Sequence, residues 1–184
     1  MTKTAPRMCL GHVGIHVKDI DRVKDFYTRV LGFTVTDEGV ASAGVRMVFM
    51  SRNPEEHHQF VIAEGRPDGS FCMVNQVSFR VESLTDLRDV HARVTKANVK
   101  ALTPIDHGNA WSLYFRDPED MRVEVYMVTP WYIAQPHAEP LNLSLDDDEL
   151  YRTGEAKYRQ DPSFQPAAEW RKAFERKLAE PVPA

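Results

Sequence analysis

The chain has 184 residues, 42% hydrophobic and 27% charged, with a formal net charge of −4, a balance that suits a globular protein large enough to bury a core. So mild an acidic balance gives no electrostatic footprint for nucleic acid or for an anionic membrane. Cys9 and Cys72 form no CxxC pair, which argues against a disulfide scaffold or thiolate zinc site; with no apolar run of membrane-spanning length and no apolar core in the first ten residues, the expectation is a cytoplasmic protein.

The first predicted element is a strand over 12–17, where Val13, Ile15 and Val17 alternate with His12, Gly14 and His16. A helix follows from Asp21 to Val30, with Ile20, Val23, Phe26, Tyr27, Val30 and Leu31 on its apolar face, Asp19 as N-cap and Gly32 as C-cap. Strands are then expected at Phe33–Thr36, Val45–Met50 and Gln59–Ala63, and the Gly-, Pro- and Asp-containing stretch Glu64–Ser70 reads as a linker. A second strand over 76–81 leads into a helix marked by Leu84, Leu87, Val90 and Val94, with Ser83 as its cap. Three further strands, Ala101–Leu102, Ser112–Arg116 and Arg122–Val128, are separated by turns at His107–Asn109 and Asp117–Asp120.

Laying position 12 on position 76 aligns Val13 with Val77, Ile15 with Phe79, Val17 with Val81, Asp25 with Asp89 and Val30 with Val94. This internal repeat predicts an α+β fold of two tandem βαβββ modules, 8–64 and 71–128, forming one domain over 8–128. Seven of the twelve prolines lie beyond Thr129, so 129–184 reads as a separate extension. It holds an acidic run, Asp146–Glu149, and a final helix over Ala167–Leu178 with Trp170, Phe174 and Leu178 on one face. That face needs a cover, so the extension is read as an arm packing on the domain or on a second subunit, in a homodimer or larger assembly.

Strand parity places polar residues opposite the apolar faces: His12 and His16; Gln76, Ser78 and Arg80; Arg122, Glu124 and Tyr126. Counting His58 with the strand over 58–63 puts it in the same class. Isolated polar residues in strands are ordinarily solvated; on the concave side of a curved sheet these would converge. His57, His91 and His137 read as surface residues, His16 as pocket-lining or satisfied, and Trp111 and Phe49 as core.

The segments that settle the reading are His12–Asp19 with Phe26–Tyr27 and Leu31–Gly32–Phe33; His57–His58–Gln59–Phe60; and Tyr114–Phe115–Arg116–Asp117–Pro118 leading to Glu124–Val125–Tyr126. Over about residues 8–128 these resemble the vicinal oxygen chelate superfamily, and within it the type I extradiol ring-cleaving dioxygenases. The resemblance implies a funnel of curved mixed sheet with a metal at its mouth, held by His12, by the residue at position 76 and by Glu124. It implies that His58 is the acid–base histidine, that Tyr114 lies beside the substrate oxygens, and that His107 joins them. Fe(II) is the implied metal, in a facial site with open positions for a catechol-like aromatic substrate and O₂. Imidazole titrates near neutral pH and suits both taking and returning a proton.

Gln76 departs from the dioxygenase pattern, which has His there. An amide oxygen is a neutral hard donor, weaker than imidazole, and Gln is a ligand in the glyoxalase branch of the superfamily; Mn, Zn or Ni then enter consideration. Gln76 is a ligand, a hydrogen-bonding neighbour with water in its place, or the mark of a lost metal. The alternatives to ring cleavage are accordingly a glyoxalase-like lyase or isomerase and a metal-free module that binds an aromatic ligand.

Overall fold

The computed structural model describes residues 8–70 and 72–180; residue 71, the expected start of the second module, and the ends of the chain lie outside the described residues. Module one comprises β1 (Val13–Val17), α1 (Ile20–Asp25) running into a π-helical turn (Phe26–Val30), β2 (Thr34–Val40), β3 (Arg46–Ser51) and β4 (Phe60–Glu64). Module two repeats the order with β5 (Val77–Arg80), α2 (Leu84–Lys96), β6 (Lys100–Asp106), β7 (Ala110–Arg116) and β8 (Arg122–Val128). In each, the first strand pairs in parallel with the last and the remaining pairs are antiparallel, giving the sheet orders β1-β4-β3-β2 and β6-β7-β8-β5. The internal repeat is therefore a repeat of topology.

Local chemistry accounts for the boundaries. The side chains of Asp19 and Ser83 cap their helices by accepting from the N–H groups of Arg22 and Asp86, satisfying donors that a helix start leaves free. The apolar spacing carries no sign of the π turn. By widening the helix it lets two successive residues, Phe26 (7% exposed) and Tyr27 (0%), both face the core. Gly32 closes the turn at φ +74°, as a C-cap glycine does. β6 runs well beyond the expected Ala101–Leu102 because Pro104 disguises it; proline belongs at sheet edges, and the outer neighbour of β6 is only the two-residue β10 (Glu139–Pro140).

One core joins both modules. Phe79 of β5 packs edge-on against Tyr27, Phe33 and Phe60 of module one, with ring centroids 6.3, 5.1 and 5.8 Å away. The Asp117–Pro118 turn adds a polar clasp. Asp117, raised above the usual carboxylate range by burial, accepts from Tyr27 Oη at 3.3 Å, and its other oxygen accepts from the N–H groups of Glu119 and Met121. Glu119 accepts from the backbone N–H groups of Lys18 (2.7 Å) and Asp19 (2.7 Å) and pairs with Arg66 at 3.6 Å. Arg22 donates to the Pro118 carbonyl.

The extension packs on module two. β10 extends the second sheet beside β6, and β9 (Trp131–Tyr132) pairs with β11 (Gln165–Pro166). The acidic run is the first turn of a helix that the sequence pattern does not predict, α3 (Asp147–Tyr158), with Asp146 as its N-cap; carboxylates there face the positive end of the helix dipole. Leu150, Tyr151 and Tyr158 of α3 close over Trp111 and Trp131. α4 (Ala167–Leu178) matches its expected span, and Trp170 stacks on Tyr132, while Phe174 and Leu178 stay exposed. Among the described residues no helix is long and apolar enough to cross a membrane.

Replacing Glu119 with Ala leaves two backbone donors and Arg66 without their acceptor, and is expected to cost about 3 kcal/mol. Glu82→Ala, which removes an exposed partner of Arg80, should stay within about 0.5 kcal/mol. Urea unfolding of both variants measures the contrast.

Candidate metal and acid–base site

The register of the second sheet aligns one polar row. Ser78 lies opposite Glu124, Glu124 opposite Tyr114, and Tyr114 opposite Thr103, so the four share a face. Glu124 occupies the middle of β8, between two neighbouring strands, and is only 8% exposed. A carboxylate so placed requires compensation. Tyr114 Oη donates to Oε1 at 2.6 Å, while Gln76 Nε2 and Ser78 Oγ donate to Oε2 at 2.8 and 2.5 Å. Among the described residues no cationic side chain pairs with it. Ser78 is a site neighbour that sequence reasoning missed; the signal available for it was its shared parity with Gln76.

His107 extends the row. Its Nδ1 donates to the His137 carbonyl at 2.6 Å and its Nε2 lies 3.0 Å from Tyr114 Oη. The carbonyl can only accept, so Nδ1 carries a proton. The three side chains thus form one continuous hydrogen-bonded row from the His137 carbonyl to the Glu124 carboxylate.

The extension fixes His107. Gln135 Nε2 donates to its carbonyl at 2.7 Å, and His137, read from the sequence as a surface residue, is half-buried against Tyr158. Gly108 has φ +76°, and a Cβ there would lie 2.2 Å from Ile133 Cδ1. Only glycine meets both the conformation and the close approach. The His-Gly word locates position 107; its support from Ile133, Gln135 and His137 carries no sequence signal.

The module-one residues form a second group. His12 and His58 have ring centroids 4.4 Å apart. His57 Nδ1 lies 2.9 Å from His58 Nδ1, and His57 Nε2 lies 2.9 Å from Asp37 Oδ2, with Phe49 against both rings. Two expectations are corrected. His58 does not project by strand parity: β4 starts at Phe60, and its even positions, Phe60 and Ile62, are fully buried on the core side. His58 instead reaches His12 from the bend before the strand. Phe49, half-buried, abuts these imidazoles rather than lying wholly in the core. His57 is exposed as expected but partnered, and His16 is a satisfied residue, with Nδ1 3.2 Å from the Glu64 carbonyl. Among the described residues no hydrogen bond or ring contact links the His12–His58 group to Gln76 or Glu124.

Among the described residues no three His, Cys, Asp or Glu side chains cluster as metal donors, so any cation here needs the Gln76 amide or solvent beside His12 and Glu124. The donor chemistry fits a divalent ion. His12 makes no hydrogen bond among the described residues, Glu124 is a buried carboxylate without a counter-cation, and Gln76 has an oxygen to offer. Gln76 now turns its NH₂ to Glu124 and would present Oε1 by rotating about its terminal bond. Amide orientation follows from the hydrogen-bond network, and a cation in place of the Gln76–Glu124 contact reverses the preference.

Burial, then the hydrogen bond from the phenol to Glu124 and the charge of that carboxylate, push Tyr114 up to about 12 from 10.0. Arg122, with its guanidinium carbon 4.3 Å from the ring centroid, opposes the shift. The fold thus favours the neutral phenol. That contribution to stability is complete below pH 10 and is lost as pH rises from 10 to about 12. A difference ultraviolet titration between wild type and Tyr114→Phe should resolve the late-ionising phenol, and Glu124→Gln should bring its midpoint down.

The sequence of the chain matches at residues 9–125 the family model described as Glyoxalase/Bleomycin resistance protein/Dioxygenase superfamily. Biphenyl-2,3-diol 1,2-dioxygenase 3 of Rhodococcus globerulus is 28% identical over 122 residues, 63% of this chain and 61% of that protein. Biphenyl-2,3-diol 1,2-dioxygenase 2 of the same organism is 28% identical over 121 residues, 62% and 60% of the two chains. The match therefore spans about three-fifths of the length of these curated relatives. A glyoxylase/bleomycin resistance protein/dioxygenase domain from Frankia sp. EAN1pec superposes with a TM-score of 0.59 at 26% identity, covering 67% of this chain and 94% of that one. The fosfomycin resistance protein FosX from Listeria monocytogenes, solved in complex with Mn(II) and a sulfate ion, shares the fold at a TM-score of 0.53 and 17% identity, covering 67% and 95%.

Proposed function

Because this chain belongs to the Glyoxalase/Bleomycin resistance protein/Dioxygenase superfamily, we propose that it is a metal-dependent dioxygenase of the extradiol type, opening a catechol-like ring with O₂. The observation that carries this reading is the His107–Tyr114–Glu124 hydrogen-bonded chain, flanked by Gln76 and Ser78. Similarity to two dioxygenases named for biphenyl-2,3-diol supports it.

His12, Gln76 through Oε1, and Glu124 would hold the ion. When bound, a redox-active divalent ion such as Fe(II) would couple the electron-rich ring to O₂, so that both oxygen atoms enter the product and no outside reductant is consumed. The protein residues bind, orient and move protons. Tyr114, un-ionised across the neutral range, donates a hydrogen bond to a substrate oxygen beside Glu124. His107 supplies or withdraws a proton through that phenol. His58, adjoining His12, takes the proton from the substrate hydroxyl and later returns it to the ring-opened product. Asp37, through His57, holds the His58 ring in orientation.

Gln76 favours a second reading, an oxygen-independent lyase or isomerase using Mn, Zn or Ni, because its weaker donor oxygen suits Lewis-acid chemistry as well as redox chemistry. The two readings part on oxygen. Protein loaded anaerobically with Fe(II) should consume one O₂ per catechol turned over, and His58→Phe should lower kcat by about 100-fold or more. An iron-loaded protein that takes up no oxygen with any catechol in a panel sinks the dioxygenase reading. Gln76→His should bind Fe(II) more tightly, since imidazole is the stronger donor. Unchanged iron affinity removes position 76 from the ligand set.

A further inference from the structure

Two residues along the strands from the Tyr114–Glu124 pair, on the same face, the register sets Arg116 directly opposite Arg122. Like charges facing each other across a strand pair destabilise it, and here no described carboxylate offsets them. Among the described residues neither guanidinium has a carboxylate within ion-pair distance, and these two are the arginines that face each other across a strand pair. Arg116 makes a single side-chain bond, Nη1 to the backbone carbonyl of Asp120 at 3.0 Å. Arg122 makes none; it lies over the Tyr114 ring, 4.3 Å from its centroid. A cation over an aromatic face keeps its N–H edge available.

The neighbouring acids are engaged elsewhere. Glu119 is held by Lys18, Asp19 and Arg66, and the Asp120 carboxylate lies 3.5 Å from Lys100. A cavity of about 230 Å³ opens beside the pair, lined by Ala101, Thr103, Ile105 and Tyr114 with the two arginines. A cavity of about 150 Å³ already holds benzene, so a substituted ring fits. Its lining is apolar at Ala101, Ile105 and Phe115 and includes Tyr114 and the two positive charges that no described carboxylate pairs.

We infer that this cavity is an anion subsite, and that the substrate is an aromatic diol bearing a carboxylate, with the carboxylate on Arg122 and Arg116 and the diol directed toward Tyr114, which lines the cavity and bonds Glu124. The inference deepens the ring-cleavage reading and rests on it for the diol; the anion subsite stands on the arginine pair alone. Arg122 offers the planar fork that takes a carboxylate in two parallel hydrogen bonds. Such a substrate supplies the counter-charge that the fold omits, and it differs in charge from a neutral diol.

Binding without turnover tests the subsite. Benzoate and its neutral counterpart benzamide would be titrated against wild type, Arg122→Gln, Arg122→Lys and Arg116→Gln, with thermal melting to establish that each variant folds. Arg80→Gln, an exposed arginine on the neighbouring strand, is the charge control. Benzoate is expected to bind more tightly than benzamide, to lose about tenfold or more in affinity in Arg122→Gln and less in Arg122→Lys, and to be unaffected by Arg80→Gln. Equal affinity for the two ligands, absence of benzoate binding, or an unchanged affinity in a folded Arg122→Gln protein would overturn the subsite. Oxygen uptake with catechol against 3,4-dihydroxybenzoate then separates the two readings. Benzoate binding through Arg122 with no uptake from these diols or from any catechol of the panel leaves the subsite and removes ring cleavage. Equal uptake from both diols, insensitive to Arg122→Gln, leaves ring cleavage and removes the subsite.

Discussion

The Glu119 carboxylate, with only 6% of its side chain exposed, accepts from the first backbone N–H groups ahead of α1 and pairs with Arg66. Beside it Asp117 takes the Tyr27 hydroxyl. These contacts join the turn before β8 to the strand–helix junction of module one. The candidate site residues come from both modules: His12 just before β1 and His58 in the bend before β4, Gln76 just before β5, and Tyr114 and Glu124 in β7 and β8. A site drawn from both sets depends on how the modules are held together. The distance between the halves is set where they touch, at this clasp and at the Phe79 insertion next to it, and buried charge with several donors resists sliding more than an apolar face does.

Glu124 poses the opposite problem. It is a buried anion that the protein serves with three neutral donors and no cation. Neutral donors stabilise a carboxylate without quenching its charge, so it remains attractive to a metal or to a proton. The same reasoning separates it from Glu119, whose charge is matched by Arg66. A positively charged rim at Arg116 and Arg122 stands beside the unmatched carboxylate but does not pair with it. Opposite charges kept apart on one face of the sheet favour a ligand that has something to offer each.

The extension is part of this arrangement. His107 lies at the end of β6, and its ring orientation follows from the His137 carbonyl, the Gln135 amide and the packing of Ile133 over Gly108. The family match ends at residue 125, yet the residues that steer His107 come after it. The aromatic layer of Trp111, Trp131, Tyr151 and Tyr158 gives those contacts a rigid base.

Much of this is legible in the order of residues. Alternation in 13–17 and 77–81, helix caps at Asp19 and Ser83, and the repeated pattern specify two like modules, because period and capping are local properties of the chain. Parity puts Gln76 and Ser78 on one side of their strand and Glu124 on the side of its own strand opposite the valines. The acidic cap of α3 is equally local but reads as a charge run, since adjacent carboxylates also describe a solvated loop. The sequence pattern is wrong about His58 as a strand residue, because a small difference in where β4 begins is invisible to composition. What no local rule could supply is pairing between distant segments: Glu124 with Tyr114, His107 with His137, Arg116 opposite Arg122. Sequence determined which faces are polar and which are buried; only the tertiary structure decided which polar groups meet, because cross-strand register and the docking of the extension are set by packing over the whole core.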